Sequence, residues 1–335
     1  MFVKKITFIL PTKNRVSNLK KFVSHHKKVF RNLNYTFLVV DGSNNNNYKQ
    51  IKRICDANKF TLLKQKKKGF MNACFESIDK VKTEYCTFLY DDDLLSPEIY
   101  KVFNRTLNRK FSMGYGIVRD LYINESYINN KFDKIKISNY QNIQVLLAYF
   151  GYNQLKIPFM PVSPICLIFK SKFLKKWKKY LFLFCKKSNF RKNILLKQNI
   201  GPDLIIYLLQ ILDHKTIFLS KPYIAIFNGH KNSMSTLLGK NKLQIGYWLA
   251  KKSIFDNSLI KNKTARLKIY NFLYLSGSYI LIKNMFLKFF KKDNFFKDIC
   301  NEMEDLKRHK SAEFSLFECI KVILNKFLIR LKYYD

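Results

Sequence analysis

Three consecutive carboxylates, Asp91, Asp92 and Asp93, follow directly on the apolar run Thr87-Phe88-Leu89-Tyr90. In a chain with 62 Lys and Arg against 23 Asp and Glu, that run is out of proportion. Adjacent carboxylates repel one another, so a cation is expected to hold them. Mg2+ and Mn2+ are hard ions that prefer oxygen ligands and are commonly shared between one or two carboxylates and substrate phosphates. Bound there, either ion neutralises charge on a departing diphosphate. The plain alternative is a helix start, with the Asp run capping the segment LLSPEIYKVF. One Asp is enough for a cap, and Pro97 sits awkwardly in a helix beginning at Leu94, so the metal reading is preferred.

The elements that position these carboxylates are short apolar strands alternating with amphipathic helices. Residues 5–10 (KITFIL) predict a buried strand ended by Pro11, and residues 18–30 a surface helix. A second strand is expected over 35–40, followed by the loop DGSNNNN, a helix over 51–58 and a short strand over 60–63. A helix over 69–81 and a strand over 85–90 complete the series. Such alternation predicts a parallel α/β sheet with right-handed crossovers, whose ligands bind at the carboxyl ends of the strands. The loops at those ends are PTKNR, DGS and DDD. The unusual polar chemistry of the first hundred residues therefore converges on one edge of one sheet.

Beyond residue 100 the pattern weakens. Pro158, Pro161 and Pro164 bracket a loop before the strand ICLIFK, and a basic stretch runs from Lys172 to Lys197. A helix is expected from Pro202, where Pro and the following Asp suit a helix N-terminus. A short strand over 216–219 follows, and the chain beyond 238 reads as helical and basic.

The net charge of +39 admits nucleic acid, an anionic membrane surface or a phosphorylated substrate as partner, or a mere excess of lysine over the solvated surface. No zinc spacing, aromatic RNA-binding signature or single basic helix supports nucleic acid, so none is expected. A composition of 47% hydrophobic and 16% aromatic residues predicts a folded chain. Seven cysteines without a CxxC pair predict reduced, mostly buried thiols. The short apolar segment before Pro11 does not resemble a secretory signal, and no apolar run is long enough to span a bilayer. A cytoplasmic location is expected, with contact at the inner face of the membrane as a further reading.

The ordered succession ITFILPTKNR, FLVVDGS, KGF and YCTFLYDDDLLSPE resembles the nucleotide-sugar-binding half of glycosyltransferase family 2 enzymes with the GT-A fold. GPDLIIYLLQILDHKTIFL and FNGHKNSMS continue the resemblance, which covers about residues 4–236. It implies a mixed, mainly parallel sheet flanked by helices with a helical C-terminal extension. The implied catalytic domain is 1–237, with a nucleotide-sugar half of about 1–100 and an acceptor half of about 101–237, followed by a basic helical region over 238–335. The implied reaction is inverting transfer of a sugar from a nucleoside-diphosphate sugar, expected to be UDP-linked. The acceptor would be a saccharide or a lipid-linked intermediate in surface-glycan or lipopolysaccharide assembly, and the cofactor Mn2+ or Mg2+.

Residue by residue, the resemblance implies that Pro11, Thr12, Asn14 and Arg15 line the nucleotide end of the first strand. Asp41 would accept a hydrogen bond from the base, Ser43 would flank it, and Lys68 and Gly69 would close the site. Taken alone, Asp41 reads as an ordinary Asp-Gly turn. Many relatives read D-x-D-D, and aligning on Leu94, Leu95 and Pro97 puts Tyr90 at the first Asp. In that register Asp91 and Asp92 are the key pair, with Asp92 the leading metal ligand; a literal D-x-D selects Asp91 and Asp93. Both registers stay open. Asp203 takes the place of the base that deprotonates the acceptor hydroxyl, although Pro202 stands where relatives often carry Glu, and a plain helix-start Asp is the alternative. His230 would assist at the metal or diphosphate, or pack as a loop histidine, with Ser233 and Ser235 shaping that loop. The departures at Tyr90 and Pro202 motivate an inactive binding relative as a second reading, and a basic nucleic-acid-binding protein is the third.

In the C-terminal segment, Phe317, Ile320, Leu324, Phe327, Leu328 and Leu331 share one helical face. A packed core helix is the default reading; the sharper one is an interfacial helix on an anionic leaflet, with residues 269–290 as a second apolar patch.

Overall fold

A computed structural model describes residues 5–29, 34–95, 99, 103–104, 111–119, 136–152, 160–161, 163–228, 234–257, 259–290 and 295–308. The chain separates into two compact units interleaved in sequence. The first takes residues 1–139, 161–182 and 217–233; the second takes 140–160, 183–216 and 234–335. The division expected at residue 237 follows the motifs, whereas compactness groups 140–160 and 183–216 with the C-terminal helices.

Among the described residues, the first unit is built on a nine-stranded mixed sheet. Its parallel part is β3 (Thr61–Lys64), β2 (Tyr35–Asp41), β1 (Ile6–Thr12) and β4 (Tyr85–Phe88), in that spatial order. Every residue of β1 is buried, which is why ITFILPT shows no polar alternation: a central parallel strand is covered on both faces. The crossovers are α1 (Val16–Val29), α2 (Asn45–Ala57) and α3 (Phe70–Ser77), the last continued by a 3-10 turn over Ile78–Lys80. Aromatic rings interlock beneath them, with Phe37 5.4 Å from Phe8 and 5.3 Å from Phe22.

Beyond β4 the sheet turns mixed. β5 (Leu94–Leu95), β6 (Phe111–Arg119), β7 (Lys136–Gln141), β8 (Leu167–Lys170) and β9 (Thr216–Asn228) complete it. β8 runs antiparallel to β4 and β6, while β6 and β9 are parallel. Three readings change here. The residues after the Asp run do not begin a helix: Leu94 and Leu95 form β5 and pair antiparallel with Ile226 and Ala225. The helix-cap alternative for the aspartates is thereby overturned, because edge pairing claims the backbone that a helix would need. The strand expected over 216–219 continues to Asn228. The Asn run read as loop is instead the first turn of α2, with the Asn44 side chain accepting from the Asn47 N–H at 3.1 Å.

The second unit is helical. α4 (Asn142–Tyr149) is followed, after α5 (Phe173–Lys186), by a helical turn (Asn189–Arg191), a π segment (Lys192–Lys197) and α6 (Pro202–Asp213). α5 crosses between the units in sequence, its first ten residues belonging to the first. α6 buries every position from Leu204 to Ile211, as a helix apolar on all sides must. α7 (Met234–Asp256), α8 (Lys263–Phe290) and α9 (Phe295–Arg308) follow, and Trp248 on α7 donates its indole N–H to the Leu273 carbonyl on α8 at 2.9 Å. Among the described residues no helix is long and apolar enough to cross a membrane. The thiols of Cys55, Cys74, Cys86, Cys166 and Cys185 are free and buried. His230, Ser233 and the amphipathic face over 317–331 lie outside the described residues.

Candidate active site

The loops after β1, β2 and β3 are tied into one edge by their own side chains. Pro11 and Thr12 are the last two residues of β1. Asn14 takes a positive φ of 55°, a conformation that Asn tolerates better than most residues. Its backbone N–H donates to the Ser43 hydroxyl at 2.6 Å, and its side-chain oxygen accepts from the Asn44 N–H at 3.1 Å. Ser43 in turn donates both its hydroxyl and its N–H to Oδ1 of Asp41. Asp41 itself is buried, and among the described residues its Oδ2 has no hydrogen-bond partner. Burial pushes its pKa up, opposed by the two bonds from Ser43. A buried carboxylate oxygen without a donor is costly, so this atom is poised to accept from a ligand.

The third loop is shaped from outside. Gln65 donates to the carbonyls of Lys67 and Gly69, and the Glu76 carboxylate accepts the N–H groups of Lys66 and Lys67 at 2.8 Å each. Lys68 is exposed, and Gly69 caps α3 at φ 112°, which a side chain would strain.

The aspartates form a turn between β4 and β5, closed by the Asp93 N–H to the Tyr90 carbonyl at 3.2 Å. What faces them is Arg15. Its guanidinium reaches Oδ1 of Asp91 at 2.5 Å and Oδ2 of Asp92 at 2.9 Å, while Thr12 donates its hydroxyl to Oδ2 of Asp91 at 2.6 Å. Asp91 is buried, and burial raises its pKa to about 6 against the pull of Thr12 and Arg15. Asp93 is also buried and raises the pKa of the Cys166 thiol electrostatically, second to that thiol's own burial. Asp91 and Asp92 therefore act as a pair on Arg15. Tyr90 packs its ring 5.7 Å from Phe70 at the start of α3.

Among the described residues no three His, Cys, Asp or Glu side chains are arranged to hold a metal by themselves. The arrangement fits an ion that takes part of its coordination from a substrate diphosphate. Asp92 keeps 21% of its side chain exposed beside buried Asp91, so one carboxylate of the pair is open to an incoming ion. Asp92, with Asp91 behind it, would hold Mn2+ or Mg2+ there.

In the second unit, Asp203 is the second residue of α6. Gly201 caps that helix at φ 99° and lies so close to α7 that a Cβ would stand 2.5 Å from the Gly246 carbonyl oxygen. Pro202 occupies the first helical turn, where its missing N–H costs nothing. Among the described residues the Asp203 carboxylate accepts from the N-terminus of its own helix, including the Leu204 N–H at 2.9 Å, and burial pushes its pKa up to about 7. Tyr247 follows Gly246 on α7. The Asp203 charge, with burial second, raises the Tyr247 pKa, so the phenol stays protonated beside that carboxyl group.

The family profile described as Glycosyl transferase family 2 matches residues 7–177, just over half of the chain. The chain belongs to glycosyl transferase family 2. No curated protein sequence matches this family 2 chain. Its fold is GT-A-like: the crystal structure of S. aureus TarS residues 1–349 with UDP-GlcNAc is similar at a TM-score of 0.51 and 13% identity, covering 81% of this chain and 72% of that one. Against a longer S. aureus TarS chain, the similarity covers only 43% of that chain. The mannosyltransferase PcManGT from Pyrobaculum calidifontis, with GDP-Man and Mn2+, is similar at a TM-score of 0.49 and 10% identity, over 98% of this chain and 88% of that one.

Within this family 2 chain, the structure brings Pro11, Thr12, Asn14, Arg15, Asp41, Ser43 and Asp91–Asp93 to one sheet edge, with Gly69 opening the helix beside it. Three supporting residues escaped the sequence reading. Glu76 and Gln65 brace the third loop. His26 accepts the Leu95 N–H on Nε2 at 3.3 Å while Nδ1 contacts the Phe22 carbonyl at 2.9 Å, fixing the exit of the Asp turn. Burial holds its pKa near 3, so the ring is neutral and able to accept. No local motif announces a histidine whose partner lies 69 residues away.

Proposed function

We propose that the chain is an inverting, metal-assisted glycosyltransferase with a catalytic portion over about 1–237, which moves a sugar from a nucleoside-diphosphate sugar to a saccharide or lipid-linked acceptor. The observation that carries this reading is the pairing, on one sheet edge, of the Arg15-held Asp91–Asp92 turn with the partnerless Oδ2 of Asp41. Oδ2 of Asp41 is an acceptor for a ring N–H of the base, which suits the uracil of a UDP-linked donor and also admits guanine. UDP-GlcNAc, present in the S. aureus TarS structure, is the first donor to test. Pro11, Thr12 and Asn14 shape the wall, Ser43 orients Asp41, and Lys68 and Gly69 border the same nucleotide site. Arg15, with 35% of its side chain exposed, is placed to steady Asp91 and Asp92 and to meet a diphosphate. A bound Mn2+ or Mg2+ at Asp92 supplies positive charge to that diphosphate.

Asp203 serves as the base. It takes the proton of the acceptor hydroxyl, whose oxygen forms the new bond to the anomeric carbon on the face opposite the leaving group. The bond from that carbon to the diphosphate oxygen breaks, and the diphosphate leaves with the electron pair. A base with a pKa near 7 is half ionised at neutral pH, where both proton uptake and availability are served. His230 is retained as an assisting residue at the diphosphate. Surface-glycan assembly at the cytoplasmic side of the membrane is the setting that suits a basic chain and a lipid-linked acceptor.

The test is nucleotide release from a panel of UDP- and GDP-sugars with Mn2+, for the wild type and for Asp92→Asn. Turnover of one donor by the wild type and its loss in the variant is expected. Failure of the wild type to bind or consume any nucleotide sugar overturns the reading.

A further inference from the structure

One guanidinium bridges the two carboxylates that would take the ion. Arg15 donates from Nη1 to Oδ1 of Asp91 at 2.5 Å and from Nη2 to Oδ2 of Asp92 at 2.9 Å. A divalent cation seeks hard, charged oxygen ligands, so it and Arg15 compete for the same two groups. Seating both would crowd a doubly charged ion against the guanidinium at a few ångströms, where like charges repel strongly. Asp92 is thus reachable from solvent but already held.

The surroundings decide which partner can yield. Asp91 is fixed: its side chain is 1% exposed, and its Oδ2 takes the Thr12 hydroxyl at 2.6 Å independently of Arg15. The Arg15 backbone is fixed too. Its carbonyl accepts the Leu19 N–H at 3.0 Å in the first turn of α1, and the preceding Asn14 is tied to Ser43. The Arg15 side chain is the movable part, long, rich in rotamers and partly exposed at the strand end. A diphosphate offers it the same bidentate oxygen pattern that the carboxylates do. On the transferase reading above, we propose that Arg15 is an exchangeable stand-in for the metal. It closes the Asp91–Asp92 pair in the free protein and passes to the donor diphosphate when the nucleotide binds, which opens the pair to Mn2+ or Mg2+. The pair is never left without a cation, and an ion arriving without a nucleotide is turned away. Nucleotide and metal then promote each other's binding by the same factor.

The test is equilibrium dialysis of Mn2+ against the full chain, without nucleotide and with UDP or GDP on both sides, which reads metal binding and needs no turnover. Weak Mn2+ binding by the free wild type, tightened by nucleotide, is expected. Arg15→Gln should bind Mn2+ about 10-fold or more tightly without nucleotide, and the tightening by nucleotide should shrink by a like factor. Arg15→Lys keeps the charge but not the two-pronged fork and should fall between the two; it carries the same comparison if Arg15→Gln does not fold. Lys13→Gln removes the same charge from an exposed side chain of the same loop and should change the nucleotide-free affinity by less than about 3-fold. An Arg15→Gln affinity that stays at the wild-type level without nucleotide, or a Lys13→Gln affinity that rises as far, overturns the exchange and leaves the transferase reading standing. Mn2+ retained by neither wild type nor variant, even with UDP or GDP, overturns the metal-assisted reading itself.

Discussion

Two clusters of acidic residues gathered around an arginine sit in this molecule, one in each unit, and they are built to opposite ends. In the first unit, Arg15 faces Asp91 and Asp92 while remaining partly exposed, and nearby Asp41 keeps a buried oxygen without a donor. In the second, Arg191 is buried with its guanidinium 4.3 Å from the Phe184 ring. It donates to both oxygens of Glu302 at 2.7 Å each and to Asp305 at 2.8 Å. Lys252, fully buried, joins Asp256, Asp305 and Glu302 at 2.6, 2.7 and 3.1 Å. Two cations answer three carboxylates there, and α7 and α9 are locked to the turn carrying Arg191. The first cluster keeps its arginine and Asp92 partly exposed; the second is turned inward, although Arg191 Nη1 makes no hydrogen bond among the described residues. Charge density alone thus does not mark a site, nor does an unsatisfied atom alone; an unsatisfied acceptor beside exposed charge does.

The sharpest way to break the comparison is to remove a carboxylate from each function. Asp203→Asn is expected to lower kcat by up to about 10,000-fold, and Asp92→Asn by about 1,000-fold, both with nearly unchanged thermal midpoints. A stability loss in Asp92→Asn without loss of turnover would make the first cluster structural as well. Arg191→Met should do the reverse. It leaves Lys252 as the cation of the cluster against Glu302, Asp256 and Asp305 and costs about 3–5 kcal/mol of stability by denaturant titration, with turnover per folded molecule preserved. Asp41→Ala is milder, because it removes one charge-assisted hydrogen bond to the donor, worth about 1.5–3 kcal/mol. Its donor Kd should rise about 10- to 100-fold by calorimetry, and with it KM, while kcat is held. An unchanged donor affinity would assign the Asp41 carboxylate to the turn alone.

The contrast also explains what the sequence disclosed. The first cluster is made of residues that sit within a few positions of strand ends, so β1, β2 and β4 and their loops were legible as short apolar runs broken by polar motifs. The bond from Arg15 to Asp91 spans 76 residues, but a parallel sheet brings successive strand ends together and makes that pairing inferable. The network at Arg191 joins residues 111 and 114 positions apart across helices whose lysine-rich sequence masks which charges turn inward. The Asn-rich start of α2 and the strand at Leu94–Leu95 were missed for a related reason. In both, a side-chain cap or an edge pairing outweighs local propensity.

The smallest predicted effect probes how Asp203 is set. Burial raises its pKa from 3.8 to about 7, so the ionised, base-competent form is favoured only as pH rises past neutrality. The pH profile of kcat/KM should therefore have an ascending limb centred near 7 that vanishes in Asp203→Asn. The same shift has a stability consequence of defined sign. Between about pH 4 and 7 the unfolded chain ionises this group while the folded one keeps its proton, so the Asp203 contribution to stability falls as pH rises through that window. Tyr247 is the neighbour able to modulate the limb, since a neutral phenol facing a carboxylate favours the charged form. Tyr247→Phe removes that dipole, and the limb should move upward by less than about one pH unit with kcat at high pH retained. A limb that stays in place would show that the Tyr247 hydroxyl does not act on the Asp203 carboxyl group. A limb that moves would make Tyr247 a positioning residue for the base and mark a second way in which the reactive carboxylates, unlike those around Arg191, are held ready rather than neutralised.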